Sequence, residues 1–210
     1  RLLGGLQVFL GERPVTGLVS AKAQALLCYL AVTGRPHFRT SLAGLLWSEK
    51  SETAALTNLR QALTALRRLF APYLTITRQT VAFNRDAPYW LDVEEFERLV
   101  DWEGGRLEGW ESGYLSPSLP VSQSTNISAL RQAVELYQGD FLEGFYVRGA
   151  PAFEEWTLVE KERLRSQALQ ALHILATHHV RQGEYALAIH SVSYTHLRAH
   201  ETRHDLVCRL

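Results

Sequence analysis

Methionine is absent from all 210 residues, so the chain is expected to be a fragment that does not begin at a natural start. Cysteine is nearly absent too. Cys28 and Cys208 fit neither a disulfide framework nor a metal-ligand spacing, which points to a reducing, cytoplasmic setting. No apolar run is long enough to span a membrane and no signal peptide opens the chain. Net charge is missing as well, at zero, but that total hides a split. Residues 1–88 hold 11 Lys/Arg against 4 Asp/Glu, a net of +7, whereas residues 89–190 hold 8 against 16, a net of −8. A basic half of this kind suits a polyanion and the acidic half something else. No Gly-Lys-Ser/Thr loop for nucleotide phosphates is present, so ATP and other cofactors are not expected. Nor is there a nucleophile, base and oxyanion arrangement, which argues against an enzyme.

What is present centres on Ser51 to Phe70, SETAALTNLRQALTALRRLF. At helical spacing Leu56, Leu59, Leu63, Leu66 and Phe70 fall on one stripe, as a helix packed into a core requires. The opposite face carries Thr57, Asn58, Gln61, Thr64 and Arg68. Arg60 and Arg67 sit two turns apart on a flank, where long basic side chains reach phosphates on either side of a groove. Asn, Gln and Arg can bond base edges in the major groove. The bland alternative is an ordinary surface helix with a basic, solvated face.

The flanks favour the first reading. Leu2 to Leu10 and PVTGLV after Gly11–Arg13 read as a small antiparallel sheet. Ala21 to Val32 is a first helix ended by Gly34 and Pro36, and LAGLLWSE is a second, capped by Thr40 or Ser41. After Phe70, YLTIT and TVAFN alternate around Arg78 and Gln79 as a hairpin, although its turn lacks the usual Asn-Gly chemistry. Strands, three helices and a hairpin make a winged helix, whose third helix enters the major groove.

From Pro88 the composition turns aromatic and acidic. Asp92 and Glu95 form a capping box for DVEEFERLVDW. Gly104 to Ser128 reads as a loop whose Trp102, Trp110, Tyr114 and Leu115 cover a core. ALRQAVELYQG is a helix closed by Gly139, and Pro151 opens a long helix to about Gln182, stopped by Gly183. Its buried side is marked by Phe153, Trp156 and Val159, then Leu164, Ala168, Leu172 and Leu175. His178 and His179 are explained by its negative C-terminal end. GEYALAI starts another helix, and the alternation resembles a tetratricopeptide stack. The fold class is therefore mostly α with small β: a winged-helix domain at 1–88 followed by an all-α, tetratricopeptide-like helical-repeat domain at 89–192.

Residues 1 to about 192 resemble the SARP-type bacterial transcriptional regulators, in which a winged-helix domain precedes a bacterial transcriptional activation domain. LAGLLWSE and ALTNLRQALTALRRLF carry the first part of that resemblance. AVELYQGDFLEGF, FEEWTLVEKERLRSQALQAL and GEYALAI carry the second, with YQGDFL the most specific piece. The resemblance implies sequence-specific binding of double-stranded DNA at promoters, two subunits on tandem repeats, and activation through contact with RNA polymerase. On this reading Asn58, Gln61, Thr64 and Arg68 face bases, while Arg60, Arg67 and the hairpin's Arg78 face phosphates. Ser193 to Leu210, SYTHLRAHETRHDLVCRL, departs from the family's pattern and resembles translated library adapter, so 193–210 is expected to be a non-native tail. Its His196, His200 and His204 share a helical face but have no carboxylate or thiol partner in a motif, and no metal is expected. The rival function is a protein-interaction module in which the winged helix has lost DNA binding and the helical repeats hold a partner or effector. The charge split disfavours it.

Overall fold

Ser20 opens the first helix, its side chain accepting from the Ala23 N–H. Gly34 closes it in the left-handed region (φ 61°), donating its N–H to Leu30 O at 3.1 Å. The positive φ favours glycine at this position, and the Arg85 guanidinium occupies the space a Cβ on Gly34 would take. Between these caps α1 (Ala21–Thr33) buries Leu26, Leu27, Cys28 and Leu30 together with Ala23, Ala25 and Ala31. That is more than one face, which makes α1 a central helix rather than a surface one. Burial pushes the Cys28 thiol up to about 12, which suppresses its reactive thiolate.

The computed structural model describes residues 1–15, 20–101 and 126–187. Within them the chain is mostly helical with small antiparallel sheets. A two-stranded ribbon, β1 (Phe9–Leu10) with β2 (Arg13–Pro14), precedes α1. A short strand, β3 (His37–Phe38), then leads directly into α2 (Arg39–Trp47) and α3 (Glu52–Phe70). A 3-10 turn at Ala71–Tyr73 delivers the hairpin β4 (Leu74–Ile76) and β5 (Thr80–Phe83). The sheet order is β3-β5-β4, all antiparallel, with His37 opposite Val81 and Ile76 also opposite Val81. Val81 is fully buried at the sheet's centre. The chain continues with α4 (Asp92–Val100), α5 (Ile127–Leu136) and α6 (Pro151–Arg181).

By contacts the chain divides into two compact units, one of Arg1–Glu94 with Asp140–Glu162 and one of Glu95–Gly139 with Arg163–Leu210. In the first, the N-terminal arm is fixed by long-range bonds. The N–H groups of Leu2 and Leu3 donate to the buried Asp92 carboxylate at 2.7–2.9 Å. Leu3 bridges Phe141, Gly4 N–H donates to Asp140 O, and Leu142 N–H donates to Leu2 O. Tyr29 of α1 meets Trp156 edge-on at 4.8 Å, and Trp156 in turn packs on Phe141 and Phe153. In the second unit, Leu130 of α5 clusters with Ala171 and Leu175. Phe96 lies against Tyr137 at 5.7 Å.

Several local expectations change. Asp92 forms no capping box with Glu95: its oxygens are taken by the Leu2, Leu3 and Val93 N–H groups, and Glu95 pairs with Arg98. The second helix begins at Arg39 after Phe38, without a side-chain cap, so Thr40 and Ser41 lie inside its first turn. The fifth helix starts at Ile127, capped by the Asn126 side chain on the Ala129 N–H. Val159 is 60% exposed, because at 100° per residue it stands about 240° around the helix from Phe153, whereas Leu164 returns to the buried side. The tail at 193–210, the aromatic residues of 102–125 and the histidines from His196 onward lie outside the described residues.

The His37 ring is held by Thr33. The Thr33 hydroxyl donates to Tyr29 O at 2.7 Å, so it must accept from the His37 Nε2–H, also at 2.7 Å. Burial, with Arg35 nearby, pulls the His37 pKa below its ordinary 6.5. The unfolded chain then binds the proton first, so stability is full above that ordinary value and falls as pH drops through it. Urea midpoints measured at pH 7.5 and 5.5 are expected to be lower at pH 5.5, and His37→Gln is expected to flatten that difference.

Candidate nucleic-acid interface

The third helix is amphipathic because its sequence separates apolar and polar residues cleanly by period. Ala55, Leu59, Ala62, Leu63, Leu66 and Phe70 are buried, and Leu56 is half-buried. Nineteen residues give a rod of about 28 Å at about 1.5 Å per residue. Packed on α2 and α1, it leaves one long polar face uncovered. Thr57, Gln61, Thr64 and Arg68 follow one another at i, i+4, i+7 and i+11 along that face, and all four are exposed. Arg60 and Arg67 are exposed on its flank. Asn58 stands on the other flank and is half-buried, so it is the least available of the residues expected to face bases.

Among the described residues none of Arg60, Arg67, Arg68 and Arg78 has a carboxylate partner. The ion pairs there are made by other cations, for example Lys22 with Glu49 and Arg85 with Glu94. Glu52, the acidic residue of α3, sits in its first turn, where it complements the helix dipole and is remote from Arg67 and Arg68. The uncovered face therefore keeps its positive charge uncompensated, which is what attraction of a polyanion needs.

The two threonines have a narrower chemistry than their formula suggests. Thr57 donates its hydroxyl proton to Thr53 O at 2.9 Å and Thr64 to Arg60 O at 2.8 Å. What remains outward is a methyl group and acceptor lone pairs.

Arg78 lies on a different element, the turn between β4 and β5. This turn has neither Gly nor Asn at its centre, and Thr77 supplies the missing chemistry. Its Oγ1 accepts from the Gln79 N–H at 3.2 Å and from the Thr80 N–H at 2.8 Å, a side chain imitating a backbone turn. Arg39, which sequence reasoning did not single out, donates from Nη1 to Thr77 O at 3.3 Å and from its backbone N–H to Gln79 O at 3.0 Å. Its signal in the sequence is weak: one arginine ahead of an apolar run.

Among the described residues no group of three or more His, Cys, Asp or Glu could hold a metal ion, and no helix is long and apolar enough to cross a membrane. His179 is buried and its Nδ1 meets Glu184 Oε2 at 2.6 Å, a local tie at the end of α6.

With this geometry in view, comparison with known families shows that residues 121–210 are similar to the bacterial transcriptional activator domain. The match supports a SARP-like regulator and suggests a role in transcriptional activation. No curated protein matched the chain.

Proposed function

We propose that the chain is a sequence-specific, DNA-binding transcriptional regulator of the cytoplasm that acts as an activator and not as an enzyme. The observation that carries this reading is the exposed face of α3, with Thr57, Gln61, Thr64 and Arg68 in a row and Arg60 and Arg67 beside it, none of the arginines neutralised by a described carboxylate. The order strand, α2, α3, hairpin, with β3 pairing β5, supports a winged helix whose third helix enters the major groove. The activator-domain match at 121–210 supports a helical segment that mediates self-association on tandem repeats or contact with RNA polymerase.

The test is selection of bound sequences from a randomised duplex library at two salt concentrations. An enriched motif, a direct repeat for two subunits, with affinity falling steeply as salt rises, is the expected result. Arg67→Ala is expected to weaken all sequences alike and to lower the salt slope by about 1, whereas Arg68→Ala costs about 1–3 kcal/mol at one base position only. Binding that is weak, motif-free and indifferent to Arg67→Ala with Arg68→Ala would overturn the reading and leave the protein-interaction module in its place.

A further inference from the structure

The hairpin tip, Arg78 and Gln79, is held by two sets of bonds that have different jobs. Inside the turn, Thr77 accepts two backbone N–H groups, its own N–H donates to Thr80 O at 2.9 Å, and its hydroxyl lies 2.8 Å from that of Thr80. These bonds fix the tip's shape. Its direction depends on contacts outside the hairpin: β3 pairs with β5 as far as Thr80, and Arg39 carries that connection on to the tip. As the first residue of α2, which packs against α3, Arg39 ties both Thr77 O and Gln79 O to the body that carries the exposed row of α3.

Resting on the function proposed above, we infer that Arg39 is a positioning residue for DNA binding, holding the tip through Thr77 so that Arg78 and Gln79 meet the duplex in one orientation. Both tip residues are exposed, and Arg78 has no carboxylate partner among the described residues, so neither is anchored by its own side chain. A tip ordered before binding loses less freedom on binding than one ordered by the duplex. Arg39 thus acts on affinity without needing to touch DNA.

A double-mutant cycle on the full chain separates this role from a direct phosphate contact. Arg39→Met keeps the aliphatic stem and the backbone bond to Gln79 O, and removes only the guanidinium. Against a duplex enriched in the selection, Arg78→Ala is expected to weaken binding about tenfold, Arg39→Met by a similar or smaller factor, and the double variant no more than Arg78→Ala alone within about twofold. Multiplying effects would mean that Arg39 binds DNA independently, and no effect of Arg39→Met would mean that the tip needs no support; either overturns the inference. Amide hydrogen exchange at Gln79 and Thr80 in the free protein reads the same tie without DNA, and is expected to accelerate in Arg39→Met while Val81 stays protected. Unchanged exchange at the tip also overturns it. Faster exchange in a chain that binds no duplex rejects the inference together with the function it rests on, and marks that function as the cause. Thr77→Val, which loosens the tip from inside, is expected to reproduce both results if Arg39→Met impairs folding.

Discussion

Replacing Asp92 by Ala is expected to lower the unfolding free energy by about 4 kcal/mol, since each buried N–H left without a partner costs about 1–3 kcal/mol. The carboxylate is 2% exposed and receives the N–H groups of Leu2, Leu3 and Val93. Against a total stability of about 5–15 kcal/mol for a domain, the loss is large. Asp92→Asn keeps one acceptor oxygen and turns an amide N–H₂ toward the remaining donors, so its cost falls between wild type and Ala. Urea unfolding followed by tryptophan fluorescence gives all three values. Equal midpoints for Asp92→Ala and wild type would mean that the arm is not anchored there.

A fragment ending at residue 101 is expected to lack a stable cooperative fold, although it retains the β3-β5-β4 sheet and α1 to α4. It lacks Asp140–Glu162, whose contacts fall within the same compact unit as Arg1–Glu94. Phe141, Leu142, Val147 and Phe153 are each at most 2% exposed, and burying such side chains contributes about 1.5–3 kcal/mol apiece. Without them Leu2, Leu3 and Tyr29 lose their cover. Part of that gain is returned because the segment no longer has to be ordered, but a net loss of several kcal/mol remains. Near-ultraviolet circular dichroism and a urea titration of the fragment beside the whole chain decide it. A shared midpoint would show that 140–162 is dispensable to the N-terminal body.

Much of the exposed face of α3 was legible in the sequence because the helix obeys one rule along its whole length. Its apolar residues repeat at helical spacing, so burial of Leu59, Leu63, Leu66 and Phe70 follows from the letters, and exposure of Thr57, Gln61 and Arg68 follows from that burial. The hairpin was legible by alternation, and Gly34 and Gly183 announced two helix ends. Three features were not. Strand β3 is two residues long, too short for any period, and exists because His37 and Phe38 pair with Val81 and Thr80. The turn at Arg78 was opaque because Thr77, not Asn-Gly, shapes it. Asp92 looked like a local cap, since an acidic residue opening a helix has the same spelling whether it bonds its neighbours or a chain segment 90 positions earlier.

The N-terminal arm has a consequence for how the chain is made. Leu2 and Leu3 leave the ribosome well before their partners Asp92, Phe141 and Leu142. Such closures come late, because loop entropy must be met before the contact repays it. During synthesis the basic helix and the hairpin are complete in sequence long before the arm can dock. Two apolar leucines and the aromatic side of α1 then wait uncovered until residue 162 has emerged. The nascent protein passes through a stage in which it carries its positive face but not its finished core, and that stage is the one most open to aggregation and proteolysis.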